Sequence, residues 1–287
     1  MAPPSAVATS SRDPGSGRTR HCTDQMGFRV TVPRAPKRIV SLVPSQTELL
    51  FDLGAGHRVV GVTRYCVHPK RRVARIKKIG GTKRFDFPSI VALRPDLIIG
   101  NKEENYQEGI EKLRVSYPVW MSDIETLDAA LNMIEQIGVI TNCADRARVL
   151  VDRVRSEWDA LPGIGALRIA YLIWKKPYMA VGGGTFIDDV LSKLGLKNHF
   201  AQAPRYPETS IEELAAAKLD VLMLSSEPYP FADENVMQLA EQLPGTVVVL
   251  VQGEMFSWYG SRLRRSPAYF KKLFTTIAER RGETLAL

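Results

Sequence analysis

Few residues in this chain could do chemistry, and their spacing serves it poorly. Two pairs of adjacent carboxylates, Asp188-Asp189 and Glu212-Glu213, are available as acid–base groups. Neighbours in sequence point to different helix faces, so neither pair shares one site. The four histidines (His21, His57, His68 and His199) have no H-x-x-x-H spacing, and the three cysteines (Cys22, Cys66 and Cys143) form no C-x-x-C, so no metal ligand set is expected. His57 and His68 read as surface residues. Cys66 reads as a thiol whose cationic neighbours favour its thiolate. No Ser–His–Asp or Cys–His order suggests a nucleophile. Val181-Gly-Gly-Gly-Thr185 reads either as an anion nest or as a tight turn. Without G-x-G-x-x-G, and with Pro44-Ser45 after the first apolar run, a dinucleotide site is not expected. What remains is a set of large aromatics in polar surroundings. Trp258 and Tyr259 in particular sit among Ser, Gly and Arg with no apolar periodicity. Such rings bury about 150–250 Å² each and suit a broad, flat ligand.

The elements that must position these residues follow from composition and pattern. The chain has 287 residues, 45% hydrophobic and 24% charged, the balance of a globular protein long enough for two lobes. The net charge of +8 is concentrated in residues 64–84, which hold nine basic residues and no acid. The other 266 residues carry about −1, and no helix-turn-helix, zinc finger or RNP signature accompanies the patch, so no nucleic acid partner is expected. If that loop did bind DNA or RNA, the binding would depend steeply on salt. No run approaches the ~18 apolar residues of a membrane span.

Residues 1–36 read as a polar, disordered tail without the apolar core of a signal peptide. As written, that places the chain in the cytoplasm; an upstream start would place it in the periplasm. From residue 37, short apolar runs alternate with amphipathic stretches: 38–43, a helix opened by a Ser45-Gln-Thr-Glu48 capping box, 59–62, a Ser-capped helix at 89–93, 96–100, 118–121 and a helix at 126–140. This alternation implies parallel sheets covered on both faces. Residues 141–161 read as one uninterrupted amphipathic helix ended by Pro162-Gly-Ile-Gly165. The alternation then restarts with strands at 168–174, 220–224 and 246–251 and helices at 185–194, 211–217, 234–242 and 267–280. The two halves also echo each other, since Ser89-Ile-Val-Ala-Leu93 then Asp96 parallels Ser210-Ile-Glu-Glu-Leu214 then Asp220. The expected organisation is a tail (1–36), a first α/β lobe (37–140), a bridging helix (141–163) and a second α/β lobe (164–287), with a ligand cleft between Rossmann-like lobes.

Four stretches carry a resemblance: Arg38-Ile-Val-Ser-Leu-Val-Pro-Ser-Gln-Thr-Glu-Leu-Leu50, Val59-Val-Gly-Val62, Ile90-Val-Ala-Leu-Arg-Pro-Asp-Leu-Ile-Ile99 and Arg205-Tyr-Pro-Glu-Thr-Ser-Ile-Glu-Glu-Leu214. From about Arg38 onward the chain is similar to the metal-chelate (class III) substrate-binding proteins of ABC transporters, and within them to the cobalamin-binding proteins. The resemblance implies two α/β lobes on one rigid helix and non-catalytic binding of a corrinoid or another metal chelate, with no prosthetic group. It implies a ligand wall of Tyr65, Thr82, Asn101 and Lys102 from the first lobe and Trp174, Tyr206, Phe256, Trp258 and Tyr259 from the second. Thr82 and Asn101 stand where the family often has Trp, which keeps a more polar ligand open. It further implies a monomer that docks on a transporter permease through one carboxylate per lobe. Glu212 matches on the second lobe; on the first, Pro88 occupies the position and Asp86 is the nearby substitute. The alternative on the same scaffold is a cytoplasmic enzyme or chaperone that handles corrinoids or tetrapyrroles.

Overall fold

A computed structural model describes residues 18–162 and 165–283. It contains two mainly parallel sheets, one per lobe. The first runs Lys77–Lys78, Val59–Val62, Ile39–Ser41, Leu97–Asn101, Val119–Ser122, every pairing parallel. The second runs Glu208–Thr209, Tyr178–Ala180, Arg168–Trp174, Val221–Ser225, Val247–Val251, with Lys197–Asn198 also pairing to Arg168–Trp174. Tyr178–Ala180 lies antiparallel to both neighbours, a hairpin return that the sequence reading did not contain. Leu97–Asn101 and Val221–Ser225 are buried along their whole length, as strands covered on both faces must be.

The echo between the halves has a physical basis. Asp96 accepts hydrogen bonds from the backbone N–H groups of Lys37 and Arg38, 2.8 Å each, and Asp220 accepts one of 2.8 Å from that of Arg168. In each lobe this aspartate ties the start of one central strand to the start of the next. Left-handed residues just ahead of them, Arg94 and Lys218, turn the chain out of the two short helices. The caps differ from expectation in one lobe. Ser210 caps Ile211–Ala216 as expected, but Phe87–Leu93 is capped by Asp86, whose carboxylate accepts from the Ser89 N–H and hydroxyl. The expected capping box at Ser45–Glu48 is not formed. Helix Pro44–Asp52 has no side-chain cap, Thr47 donates back to the Val43 carbonyl at 2.9 Å, and Glu48 turns towards the second lobe.

Part of the expected tail is ordered. Thr19–Thr23 and Arg29–Pro33 form an antiparallel hairpin. Its polar composition suggests disorder, but alternating Val30 and Val32 reach the core, and buried Asp24 holds the turn through the Met26 and Phe28 N–H groups and an ion pair with Arg114 at 2.8 Å. The remainder of that tail, residues 1–17, lies outside the described residues. The bridging helix is Ala144–Asp159, about 24 Å long and starting later than expected. Thr141 instead closes the preceding helix, Leu127–Ile140, and Asn142 takes a left-handed turn. The bridge is tied at both ends: Arg146 donates to the Leu53 carbonyl in the first lobe, and Trp158 donates to Leu263 in the second at 2.9 Å. Of the expected terminator, Gly163 and Ile164 lie outside the described residues. One continuous apolar core runs through the first lobe, this helix and part of the second lobe, which makes the bridge a spacer and a poor hinge. Among the described residues no helix is long and apolar enough to cross a membrane.

The lobes also meet directly. At Gly260 of the second lobe a Cβ would sit 2.6 Å from the carbonyl oxygen of Ser45 in the first. Gly260→Ala must therefore push the lobes apart, with an expected cost of about 1–3 kcal/mol and a thermal midpoint several degrees lower. An unchanged melting curve would show that the lobes do not close this tightly.

Candidate functional site

In open α/β sheets ligands bind beyond the carboxyl ends of the strands, where the strand order reverses. In the first lobe that point lies between Ile39–Ser41 and Leu97–Asn101; in the second it lies near Arg168–Trp174 and Val221–Ser225. The segments leaving these strands face each other across the lobes. Lys102, Glu103 and Glu104 come from the first lobe, and Trp174, Tyr206, Glu227 and Tyr259 from the second. Among the described residues, a pocket of about 310 Å³ is lined by Lys102, Glu103, Asp123, Ile124 and Glu125 of the first lobe and by Arg205 of the second.

Asn101 shapes this rim from behind. It is fully buried, its amide nitrogen donates to Ser122, and its oxygen accepts from the N–H groups of Glu103 and Glu104. That fixes the turn presenting both glutamates, so Asn101 supports the wall and leaves no polar atom for a ligand, contrary to expectation. Glu103 is clamped from the other lobe by Arg205 at 2.9 Å and by the Tyr206 hydroxyl at 2.5 Å. Burial, followed by the Glu103 charge, pushes the Tyr206 phenol well above its ordinary range. Lys102 is engaged by Asp123 at 2.6 Å, and Lys83 donates to the Glu103 carbonyl. Glu104 has no hydrogen-bond or ion-pair partner among the described residues. Burial, with smaller contributions from Glu103 and Glu227, pushes its carboxyl up to about 7. Glu227 accepts from Ser257 and from the Trp258 indole at 2.9 and 3.1 Å, and burial raises its carboxyl as well. Tyr259 is only 6% exposed, and its buried hydroxyl has the Ser45 side chain of the first lobe as its polar neighbour. Burial pushes that phenol well above its ordinary range.

The aromatic wall is smaller than expected. Tyr65 (56% exposed), half-buried Tyr206 and Trp174 (40% exposed, edge-on to Tyr229) keep open ring surface. Trp258 is buried between His68 of the first lobe and the Arg262 guanidinium. Phe256 is fully buried, packs on Tyr171 and Phe270, and belongs to the core. Thr82 is half-buried, and its carbonyl accepts from Asn105.

Other expectations fail for local reasons. Cys66 is buried and hydrogen-bonded to Thr47 and Thr63, and burial pushes its thiol up, against the thiolate expected from its cationic neighbours. Gly182 and Gly183 direct their N–H groups to the Arg205 and Ala203 carbonyls, and a Cβ on either would run into that strip. The glycines therefore serve a close backbone approach, and no anion nest remains. Asp189 accepts from the Leu127 N–H at 2.7 Å, capping a first-lobe helix from the second lobe, and Asp188 holds Asn198. His68 is an interlobe residue, 3.5 Å from Glu254. Among the described residues no group of three His, Cys, Asp or Glu side chains could hold a metal ion.

Missed from sequence were Glu103, which Arg205 and Tyr206 hold from the other lobe, and Glu104 and Glu227, whose carboxyls burial raises. Their signal was present, since all three lie just past two central parallel strands.

Two α/β lobes joined by one helix, with a pocket at the carboxyl ends of their strands, make up this architecture. Residues 39–243 match the periplasmic binding protein family, and the chain belongs to it; it is a binding protein, not an enzyme. It is 28% identical over 195 residues to a vitamin B12-binding protein of Vibrio parahaemolyticus (66% of this chain, 70% of that one). It is 24% identical over 236 residues to one of Pectobacterium carotovorum (79% and 84%). Among solved structures, the periplasmic vitamin B12-binding protein of Vibrio cholerae superposes with a TM-score of 0.71 at 22% identity, over 85% of this chain and 99% of that one. A periplasmic haem-binding protein from a Roseiflexus species gives 0.72 at 23%, over 84% and 98%. These relatives overturn the cytoplasmic placement: the family is periplasmic, and the tail composition was the wrong guide to compartment.

Proposed function

We infer that the chain binds a corrinoid or a closely similar metal chelate between its lobes and delivers it to an ABC-transporter permease. The observation that carries this reading is that Tyr65 and Trp174 stand exposed just past the carboxyl ends of the two sheets, while Tyr206 and Arg205 of the second lobe hold Glu103 of the first. Flat apolar area with a few fixed polar groups is what a large chelate requires. The lobes, taken as 37–140 and 164–287 on the bridge 141–163, clamp the ligand from two sides. Lys102 and Thr82 border those rings, and the buried Trp258 and Tyr259 support the wall from behind. On the outer surface, Glu212 and Asp86 each lie exposed at the start of a short helix and are the docking carboxylates of this reading. Hydrogen bonds to Ser210 and Ser89 respectively hold both below the usual carboxylate range, so each stays charged for a basic partner.

Calorimetric and absorbance titration with cobalamin, cobinamide, haem and ferric siderophores tests the binding step. One chelate is expected to bind stoichiometrically, and Trp174→Ala is expected to weaken it by about tenfold, the loss of one aromatic contact. No response to any of the four would reject the reading.

A further inference from the structure

The nine cations of residues 64–84 have no task within the chain itself. Every one of them is exposed. Among the described residues none is in an ion pair, and only Lys78 and Lys83 find hydrogen bonds, all to backbone carbonyls. The fold gathers the segment at one edge of the first sheet. Lys77–Lys78 is the edge strand, Arg64 donates its N–H to the Gly80 carbonyl at 2.8 Å, and Gly80–Gly81 pairs antiparallel with Arg84–Phe85. The Lys78 ammonium closes the group by reaching the carbonyls of Cys66 and Val73, the latter at the end of the short helix Lys70–Val73. The bordering acids are occupied elsewhere: Asp86 holds Ser89, and Glu254 pairs with Arg262.

A single-signed surface without its own counter-charges repels itself and attracts an anionic one. Shape and composition select among anionic surfaces. Neither the cleft pocket nor a larger cavity of about 670 Å³ in the second lobe includes any of the nine cations, so the patch offers area and charge without a fitted site. Exposed apolar groups stand among the charges: Val67 is 47% and Tyr65 is 56% exposed. Cations around exposed apolar side chains suit a bilayer surface, where the cations meet headgroup phosphates and the apolar groups enter the boundary. Nucleic acid would use the cations and leave Val67 in water, and the family is periplasmic, where membrane surface is at hand. We propose that residues 64–84 form a docking face that rests the chain on an anionic phospholipid surface. That face borders the cleft rim, since Lys83 donates to the Glu103 carbonyl and a Cβ at Gly81 would lie 3.3 Å from the Tyr65 ring. A chain held this way keeps its cleft close to the membrane in which a permease would sit.

Sedimentation of the full chain with lipid vesicles tests this. Vesicles of phosphatidylcholine alone are compared with an equal mixture of phosphatidylcholine and phosphatidylglycerol. The anionic vesicles are expected to bind at least about tenfold tighter at about 0.1 M salt, and to lose that advantage towards about 1 M, as the Debye length shrinks from about 10 to about 3 Å. The variant Arg71→Glu/Arg72→Glu/Arg75→Glu should lower affinity for the anionic vesicles at least about a hundredfold. Its thermal midpoint should not fall, since none of the three side chains has a partner to lose. Val67→Ser should weaken binding a few-fold and leave the salt dependence as it is. Should the triple glutamate variant not fold, the corresponding triple glutamine variant, expected to lose about tenfold, decides. Equal binding to both kinds of vesicle, or undiminished binding by the triple variant, overturns the proposal. Duplex DNA or polyglutamate that binds as tightly as the anionic vesicles also overturns it, by showing a surface for polyanions in general. No chelate enters these assays, so their failure leaves the chelate-binding reading untouched, and the reverse holds.

Discussion

Arg262→Ala is expected to be the most damaging single substitution in this chain, costing about 3–5 kcal/mol by leaving a buried carboxylate uncompensated. Arg262 and Glu48 have side chains only 5% and 6% exposed, and they join the two lobes. The guanidinium grips both oxygens of Glu48 through Nε and Nη2, 2.9 Å each, and its Nη1 reaches Glu254 at 2.6 Å. Trp258 lies under its plane, 4.6 Å from the ring centroid, so neither end can relax into water. The remaining cation near Glu48, Arg265, is 3.7 Å away and half exposed. It can recover only part of the loss. A thermal midpoint lowered by roughly 10 °C is expected, together with faster proteolysis between the lobes. The double variant Glu48→Leu/Arg262→Met should recover most of that, because apolar groups of similar volume carry no desolvation cost. A cycle in which Arg262→Ala costs less than about 1 kcal/mol would mean that the pair is wetter than its burial indicates.

That pair also marks the limit of what could be read from the chain. The sheets were legible because each central strand is an apolar run flanked by turn residues, and Asp96 and Asp220 repeat one task in the two halves. The cap at Ser210 was legible, and the helices at 126–140 and 185–194 were started at the residues that cap them, because capping is local chemistry within three residues. Ser45-Gln-Thr-Glu48 had the same local signature and misled, since Glu48 is claimed by a residue 214 positions away, and no local pattern encodes such a partner. The hairpin at 19–33 was hidden by its polar composition, its ordering resting on the two valines and Asp24 docking onto the first lobe. In the site, Tyr65 and Trp174, whose rings stay open, were named through the family resemblance. Phe256 was not distinguishable from them, because a core aromatic and a ligand-facing one look identical until a neighbour such as Tyr171 is placed against it. Glu103 and Glu104 were overlooked because charged residues after a strand usually lie in solvent. Only the second lobe brings Arg205 and Tyr206 onto Glu103.

Desolvation of Glu104 makes stability depend on pH in a predictable direction. Its carboxyl is held at about 7 in the folded chain against an ordinary 4.5. The folded state therefore binds this proton more tightly than the unfolded state does, and the stabilisation is complete below about 4.5 and lost as pH rises through about 7. Across that window the loss from this group is up to about 3 kcal/mol. Glu227, shifted the same way by burial, adds to it in the same direction, whereas Lys83 opposes it at Glu104. Subtracting the profile of Glu104→Gln from that of the unmodified chain isolates the one group. The two should melt alike near pH 4.5, and the variant should be the more stable by several degrees at pH 8. Identical profiles would mean that Glu104 is hydrated and the lobes are apart in solution. Saturating amounts of a ligand that donates to Glu104 should abolish the difference by satisfying the charge that closure strands. In this way the pH profile reports whether closure and ligand binding are directed at the same carboxylate.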